Sequence, residues 1–159
     1  MNSPGHRPVA ISIVGVAVAF VLAACAPPPP HIAVNNANKM VQEYRDEAAK
    51  FPEPLPGGRK FPKDPPGDYS TDQKYEAGFG GSFAAMYWRC QWMGAYLDAF
   101  NAHDEASENT ALDELSKWRS IPWVAAHVVD DPDNPFQSTI VDTARLGDPT
   151  ALRNFYQSC

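Results

Sequence analysis

Few residues in this sequence are of the types and spacings that support catalysis. The four histidines are His6, His31, His103 and His127, and none stands in an HExxH arrangement that would bind zinc. The sequence also lacks a G-x-S-x-G nucleophile turn and a phosphate-binding glycine loop. The glycine-rich residues 78–81 lack the lysine of such a loop and are predicted to interrupt helical structure. We therefore predict no catalytic residues and a protein that is not an enzyme.

Oxygen ligands suited to calcium are concentrated in residues 130–134 (DDPDN). Here Pro135 takes the place of the glycine turn of a calcium loop, and the closing glutamate is missing. A turn that caps the following helix explains the same residues, so no metal ion and no cofactor are predicted. His127 follows Trp123 by four residues and is expected to pack against it rather than to react.

The N-terminal segment has the pattern of an export signal. Arg7 and the amino terminus supply positive charge, residues 9–24 are almost purely apolar, and four prolines follow at 27–30. The apolar run is shorter than the roughly 20 residues that span a bilayer as a helix, and proline does not continue a helix. Residues 1–24 are therefore predicted to be a signal peptide that is removed.

The end of this segment, residues 22–25 (LAAC), resembles the lipobox of bacterial lipoproteins. The resemblance covers only residues 1–25. It implies cleavage before Cys25 and attachment of diacylglycerol to its thiol. Each buried CH2 contributes about 0.8 kcal/mol, so two acyl chains of the palmitate type hold a protein on a membrane without a transmembrane helix. An uncleaved anchor helix and a secreted protein without lipid are the alternatives.

The lipobox implies a location on the extracytoplasmic face of the cell membrane. In a cell with two membranes, Ala26 does not match the aspartate retention signal of some lipoproteins, so the outer membrane is then expected. Residues 25–35 carry the lipid and form a proline-rich tether, because consecutive prolines favour an extended polyproline helix. Residues 36–159 are expected to form one domain that stands off the membrane.

Cys90 and Cys159 are the cysteines that remain after Cys25 is assigned to lipid. An even pair in an exported chain indicates a disulfide bond. The bond would close nearly the whole second half of the domain, and a loop of that length contributes roughly 4 kcal/mol in the chain-entropy model. Two buried free thiols are the alternative.

The chain is acidic, with 13 Lys and Arg against 19 Asp and Glu and a formal net charge of −6. All of the acidic residues follow Cys25, so removal of the signal peptide with Arg7 makes the mature chain more acidic. Nucleic-acid binding and adhesion to anionic lipid through surface charge both need a basic face. We therefore predict no nucleic-acid partner.

The domain is predicted to be all-α, a small bundle of four to five helices. Apolar residues recur at helical spacing, proline and glycine separate the segments, and no convincing strand alternation follows residue 35. The predicted segments are 36–51, 83–101, 110–119, a kinked continuation or a new short helix over 122–129, one beginning near Pro135, and one beginning near Pro149.

The central segment, residues 83–101, is predicted to be the core of the bundle. One set of side chains repeats at three and four residues and predicts a core-facing seam: Phe83, Met86, Cys90, Met93, Leu97 and Phe100. The few polar positions are chiefly Arg89, Gln91 and Asp98. Because Cys159 shares the apolar face of the last helix, we expect it to meet Cys90 where the two helices pack.

Residues 52–70 form a long irregular stretch that contains six prolines and three glycines. Loops of this length are uncommon in compact domains and are often functional or disordered. The stretch carries the basic cluster of the chain, Arg59, Lys60 and Lys63. It is either a flexible extension of the tether or a partner-binding loop in which Arg59 and Lys60 contact the partner. Three side chains are expected to pin it to the domain: Leu55, Phe61 and Tyr69.

Aromatic side chains are concentrated in the second half of the chain: Tyr87, Trp88, Trp92, Tyr96, Trp118 and Trp123. A small bundle needs large side chains to fill its core. Trp and Tyr are also enriched where partners bind. Core packing is the favoured interpretation, and Trp88, Trp92 and Tyr96 are partner-binding candidates if they line a groove.

The sequence therefore predicts a lipid-anchored, extracytoplasmic helical module without enzymatic activity. It would bind an envelope protein or a cell-wall component whose identity the residues do not reveal. One alternative is a lipoprotein that binds a small ligand, or inhibits another protein, through an aromatic groove. Another is a cell-wall hydrolase whose catalytic residues match no known motif.

Overall fold

The computed structural model describes residues 33–133 and 135–159, which are mostly helical. The predicted signal peptide, Cys25 and the tether up to residue 32 lie outside the described residues. The helices of the described part are α1 Ala37–Ala49, α2 Phe79–Ala102, α3 Glu105–Leu115, α4 Pro122–His127, α5 Thr143–Arg145 and α6 Thr150–Tyr156. Short 3-10 turns lie at Pro56–Gly58 and Trp118–Ser120, and a π-helix, Gln137–Asp142, leads directly into α5.

A two-stranded antiparallel sheet accompanies the helices. Strand β1, Val34–Asn36, pairs with β2, Lys74–Glu76, so that Asn35 lies opposite Tyr75. The predicted helical character is therefore confirmed, but a purely all-α fold is not. Strands of three residues are too short to show a recognisable alternation of apolar and polar side chains, and only long-range pairing reveals them.

Helix α1 forms much as its sequence pattern predicts. The Asn36 side chain accepts a hydrogen bond from the Lys39 amide at 2.9 Å and so caps the first turn. Met40 and Tyr44, one turn apart, are completely buried on one face. The helix ends at Ala49, shortly before Pro52, since the residue before a proline avoids helical geometry.

Helix α2 begins earlier than predicted, at Phe79, because residues 79–81 are helical rather than an interruption. Gly78 precedes the helix with a φ of 88°, which favours glycine. Gly80 and Gly81 permit close packing. A Cβ at Gly80 would overlap backbone atoms of α1, and a Cβ at Gly81 would overlap the Trp123 indole. The glycines therefore allow two neighbouring elements to approach the start of α2.

The buried face of α2 matches the predicted seam only in part. Met93 and Leu97 of the seam are buried, and so are Trp88 and Tyr96 outside it, whereas Met86 of the seam is 39% exposed. Phe83 and Cys90 are only partly buried, and Arg89, one of the few polar residues of the helix, is buried. Because α2 is apolar on most sides, its periodicity does not determine which side faces the core.

Helix α3 also begins earlier than predicted, at Glu105 rather than at residue 110. The chain turns at His103, which has a φ of 54°, and Asp104 then caps α3 by accepting a hydrogen bond from the Ser107 amide at 3.2 Å. Ile121 is extended before Pro122, and the proline occupies the first turn of α4. Of the two alternatives for this segment, the structure has the new short helix rather than a kinked continuation.

The C-terminal helix is joined to α2 by a disulfide bond between Cys90 and Cys159, with 5.8 Å between the Cα atoms. The predicted pairing is confirmed. Leu152 of α6 is completely buried in the main core, which surrounds α2. The bond spans a sequence separation of 69 residues and holds the end of the chain against the central helix.

Candidate functional site

The three aromatic residues predicted as candidates for partner binding lie in the core. Trp88 and Tyr96 have no exposed surface, and Trp92 is 7% exposed. Both indole nitrogens donate to the Pro54 carbonyl oxygen at 2.9 Å, and the Tyr96 hydroxyl donates to the Ala144 carbonyl oxygen. Their polar atoms are thus used within the fold. An aromatic groove built on these residues is wrong, and core packing is the correct interpretation.

The weak catalytic and metal candidates have structural roles. The His127 ring stacks on Trp123 with centroids 4.7 Å apart, as expected. The Asp131 carboxylate accepts a hydrogen bond from the Asp133 amide, and Asp130 pairs with Arg119 at 3.1 Å. Within residues 33–133 and 135–159, no three His, Cys, Asp or Glu side chains are grouped so that they could hold a metal ion.

The irregular segment at residues 52–70 is fastened to the helices by hydrogen bonds. Besides the two indole bonds to Pro54, the Tyr44 hydroxyl donates to the Pro62 carbonyl oxygen at 2.9 Å. The Arg45 guanidinium of α1 donates to the Lys63 carbonyl oxygen at 3.2 Å. Side chains of two helices thus satisfy the carbonyl groups of a segment that has few regular hydrogen bonds of its own.

Apolar side chains hold the same segment from below. Leu55 is 5% exposed and belongs to the main core. The Phe61 ring lies 5.1 Å from Phe51 and 5.6 Å from Tyr87, measured between centroids. Tyr69 meets Phe83 edge-on. All three predicted anchor residues therefore pack on the domain, and the segment is a fixed part of the fold rather than a spacer.

The fastened segment and α1 enclose a groove of about 570 Å³, which we call the loop groove. Its floor is apolar and includes Phe51, Leu55 and Phe61, together with two alanines of α1. Its cationic residues are Arg45, Arg59, Lys60 and Lys63. The groove thus combines the apolar anchors of the segment with its basic cluster.

Two of the cations are engaged in contacts and two are not. Arg45 pairs with Asp64 at 2.5 Å, and Arg59 donates to the neutral Gln91 side chain at 2.7 Å. Among the ion pairs and side-chain hydrogen bonds of the described residues, none involves the amino group of Lys60 or Lys63. Both side chains are exposed.

The acidic residue of the groove, Glu53, is already engaged in an ion pair. It pairs with Lys117 at 2.9 Å, and Lys117 also pairs with Glu114 at 2.7 Å. The hydrogen bonds that Lys117 donates to these carboxylates raise its pKa, and the bond to Glu114 contributes most. The groove therefore presents a local excess of positive charge on a chain whose net charge is −6.

Tyr44 supports the groove from within. Burial raises the pKa of its hydroxyl from 10.0 to about 12, and Tyr87 and Asp64 contribute to the rise. The hydroxyl therefore stays protonated near neutral pH and remains a donor to Pro62. Sequence reasoning missed both Tyr44 and Arg45 as parts of this site, because each lies 18 residues from its partner in the loop. Only the folded chain brings them together.

A second unusual arrangement surrounds Arg89, which is 6% exposed. Its guanidinium carbon lies 4.4 Å from the ring centroid of Trp118, 4.6 Å from Phe155 and 5.2 Å from Phe136. Its Nε atom has no hydrogen-bond partner, and no ion pair among the described residues involves this side chain. Burial lowers the pKa of Arg89 from 12.5 to about 10.

Comparison with known proteins found no similar protein, so the groove and the Arg89 cluster are interpreted from their own chemistry. The chain matches no protein-family model, no curated protein and no solved structure. Within the described part of the chain, none of the helices is both long enough and apolar enough to cross a membrane.

Proposed function

We propose that this protein is a lipid-anchored helical module of the cell envelope that acts by binding rather than by catalysis. Its partner is an envelope protein or a cell-wall component, and the loop groove is the surface that receives it. The single observation that supports this assignment most is the fastening of residues 52–70 over an apolar, basic groove.

A fixed groove favours binding for a thermodynamic reason. Ordering a loop at an interface costs free energy that weakens association, and a loop already held by its own domain avoids this cost. Tyr44, Arg45, Trp88 and Trp92 supply that support from two helices. The groove is thus prepared for a partner before any partner arrives.

The proposed anchor rests on the lipobox resemblance at residues 22–25. Replacing the thiol by Cys25→Ala removes the only group in that motif that accepts lipid. The expected result is an uncleaved precursor that no longer carries lipid, detected by electrophoresis and labelling with a fatty-acid analogue. Normal processing and labelling of this variant would contradict the lipoprotein assignment.

The proposed binding surface is tested by photo-crosslinking in native membranes. A photoreactive amino acid in place of Lys60 lies on the groove, and the same amino acid in place of Lys74 lies on the exposed strand β2. We expect one stoichiometric crosslinked species from position 60 that is missing from position 74. Mass spectrometry of the crosslinked peptide then identifies the partner and the segment in contact.

The same experiment separates the proposal from its alternatives. Equal background labelling at both positions would contradict a partner at the groove and would favour a lipoprotein that binds a small ligand. Turnover of purified cell wall that disappears when single carboxylates are neutralised would instead favour a hydrolase and overturn the non-enzymatic assignment.

A further inference from the structure

The loop groove also indicates the chemistry of its occupant. We infer that it receives an acidic peptide segment that places an apolar side chain on the groove floor. This inference rests on the proposed function, because it assumes that the loop groove is the binding surface and adds the class of partner.

The charge of the groove selects an acidic partner. Lys60 and Lys63 are exposed without an ionic partner among the described residues, while Glu53 is paired with Lys117 and Arg45 with Asp64. The remaining surface belongs to an acidic chain that repels an acidic segment. The cluster of cations in the groove therefore attracts such a segment against the net charge of the chain, and this favours docking there.

The floor of the groove selects a peptide over other anions. The half-buried rings of Phe51 and Phe61 line the groove together with the cations and offer apolar contact. A polysaccharide or a free phosphate would satisfy the positive charge and leave the apolar floor without a partner. An acidic segment with a leucine or an aromatic residue satisfies both, since a buried apolar anchor surrounded by exposed charge pairs is the usual arrangement of an interface.

The position of Arg59 indicates which part of the groove the acidic segment occupies. Its guanidinium is held by Gln91 of α2, and Arg59 also borders a neighbouring groove of about 480 Å³ that contains Asp98 and Asp104. An acidic segment is attracted on one side of Arg59 and repelled on the other. We therefore place the segment between Arg59 and α1, where Lys60 and Lys63 lie.

A displayed library of random linear peptides tests the inference even while the natural partner is unidentified. The full-length protein with its disulfide intact is the target, and bound peptides are sequenced. We expect enrichment of peptides that carry several Asp or Glu residues and one Leu, Phe or Trp. Binding should weaken when the salt concentration rises from about 0.1 to about 1 M, which shortens the Debye length from about 10 to about 3 Å.

Two charge-matched variants make the test specific. Lys60→Glu/Lys63→Glu reverses the groove charge, and neither lysine side chain holds the loop in place. Lys39→Glu/Lys74→Glu makes the same change in net charge at exposed positions outside the groove. We expect about tenfold weaker binding of the enriched peptides to the first variant, because two attractions become repulsions. The second variant should bind within about twofold of the wild type.

Several outcomes would contradict the inferred acidic peptide partner. Failure to enrich any peptide, enrichment without acidic bias, or equal weakening in both variants would overturn the inference. Preferential, groove-dependent binding to vesicles of anionic phospholipid would also overturn it in favour of a lipid surface. If position 60 still crosslinks to a membrane partner while the selected peptides lack acidic residues, the chemistry of the partner is wrong and the proposed function stands. If position 60 gives no specific crosslink, the proposed function itself fails.

Discussion

The Arg89 guanidinium lies against the ring of Phe155, with its central carbon 4.6 Å from the ring centroid. Cys90 follows Arg89 directly, and Cys159 comes four residues after Phe155, so the disulfide holds this ring over the cation. Burial of a cation without an anionic partner costs free energy, and cation–π contacts offset about 0.5–2 kcal/mol each. The C-terminal helix therefore covers a group that water would otherwise solvate.

Replacing this cation by a flexible apolar side chain tests whether the cation–π contacts outweigh the cost of burying the charge. We expect Arg89→Met to leave the free energy of unfolding unchanged or to raise it by up to about 2 kcal/mol, because buried unpaired charge is removed and volume is kept. Arg89→Lys should lower it, since an ammonium does not stack on rings as a guanidinium does. Urea unfolding measures both. A loss of more than about 2 kcal/mol in Arg89→Met would mean that the ring contacts outweigh desolvation.

Reduction of the disulfide should destabilise the domain strongly. The bond closes a loop with a sequence separation of 69, for which the chain-entropy model gives about 4 kcal/mol. Urea unfolding with and without a thiol reductant measures the loss. A Cys90→Ala/Cys159→Ala variant is the control, because its stability should not respond to the reductant. A wild-type loss below about 1 kcal/mol would show that the core alone retains α6.

Gly80 should not tolerate a side chain. We expect Gly80→Ala to cost about 1–3 kcal/mol, since the new methyl group would meet backbone atoms of Met40 and Tyr44 that cannot move aside. Gly94→Ala is the matched control on the same helix. Its Cβ would lie 3.0 Å from the hydroxyl of the partly exposed Tyr156, which can rotate away, and alanine favours a helix. Thermal unfolding of both variants should therefore differ clearly. Equal stability would mean that α1 shifts without cost.

The alkaline stability of the protein should depend on Tyr44. Its folded pKa of about 12 exceeds the usual 10.0, so the native state holds the proton more tightly than the unfolded state. The stabilisation is complete below pH 10 and is lost as the pH rises to 12. Tyr44→Phe should lose about 1 kcal/mol near neutral pH, with the hydrogen bond to Pro62, and this deficit should shrink between pH 10 and 12. A constant deficit over that range, measured by urea unfolding, would contradict this assignment.

Arg89 should change the free energy of unfolding at alkaline pH in the direction opposite to that of Tyr44. Its folded pKa of about 10 is below the usual 12.5, so the unfolded state holds the proton more tightly. The penalty of burying the cation applies below about pH 10 and is relieved as the pH rises towards 12.5. The stability difference between wild type and Arg89→Met should therefore move in favour of the wild type above pH 10. No change in the difference would indicate that the guanidinium stays charged.

Local signals predicted several parts of this fold. Asn36 is a good cap residue at the start of an amphipathic segment, and it caps α1. Pro122 marked the interruption at which α4 begins, and the even cysteine pair predicted the Cys90–Cys159 bond. These features depend on a few neighbouring residues or on simple counting, so their signals do not require the tertiary structure.

Other parts were decided by contacts between distant segments. The start of α2 at Phe79 depends on α1 and Trp123 approaching two glycines, which a sequence pattern treats as an interruption. The three-residue strands exist only as a pair. The loop groove exists because helix side chains, chiefly those of Tyr44 and Arg45, bind carbonyl groups 18 residues away.

The sequence by itself determined the helical character, the cysteine pair, the acidic balance and the basic cluster at residues 59–63, because these follow from local periodicity and composition. The tertiary structure decided which face of α2 is buried: Trp88, Trp92 and Tyr96 lie in the core, the interpretation that the sequence favoured, whereas Met86 of the predicted seam lies at the surface. It also turned residues 52–70 into one wall of a groove. The physical reason is that a helix apolar on most sides has no preferred rotation of its own, so its orientation is set by the helices, the loop and the disulfide that pack around it.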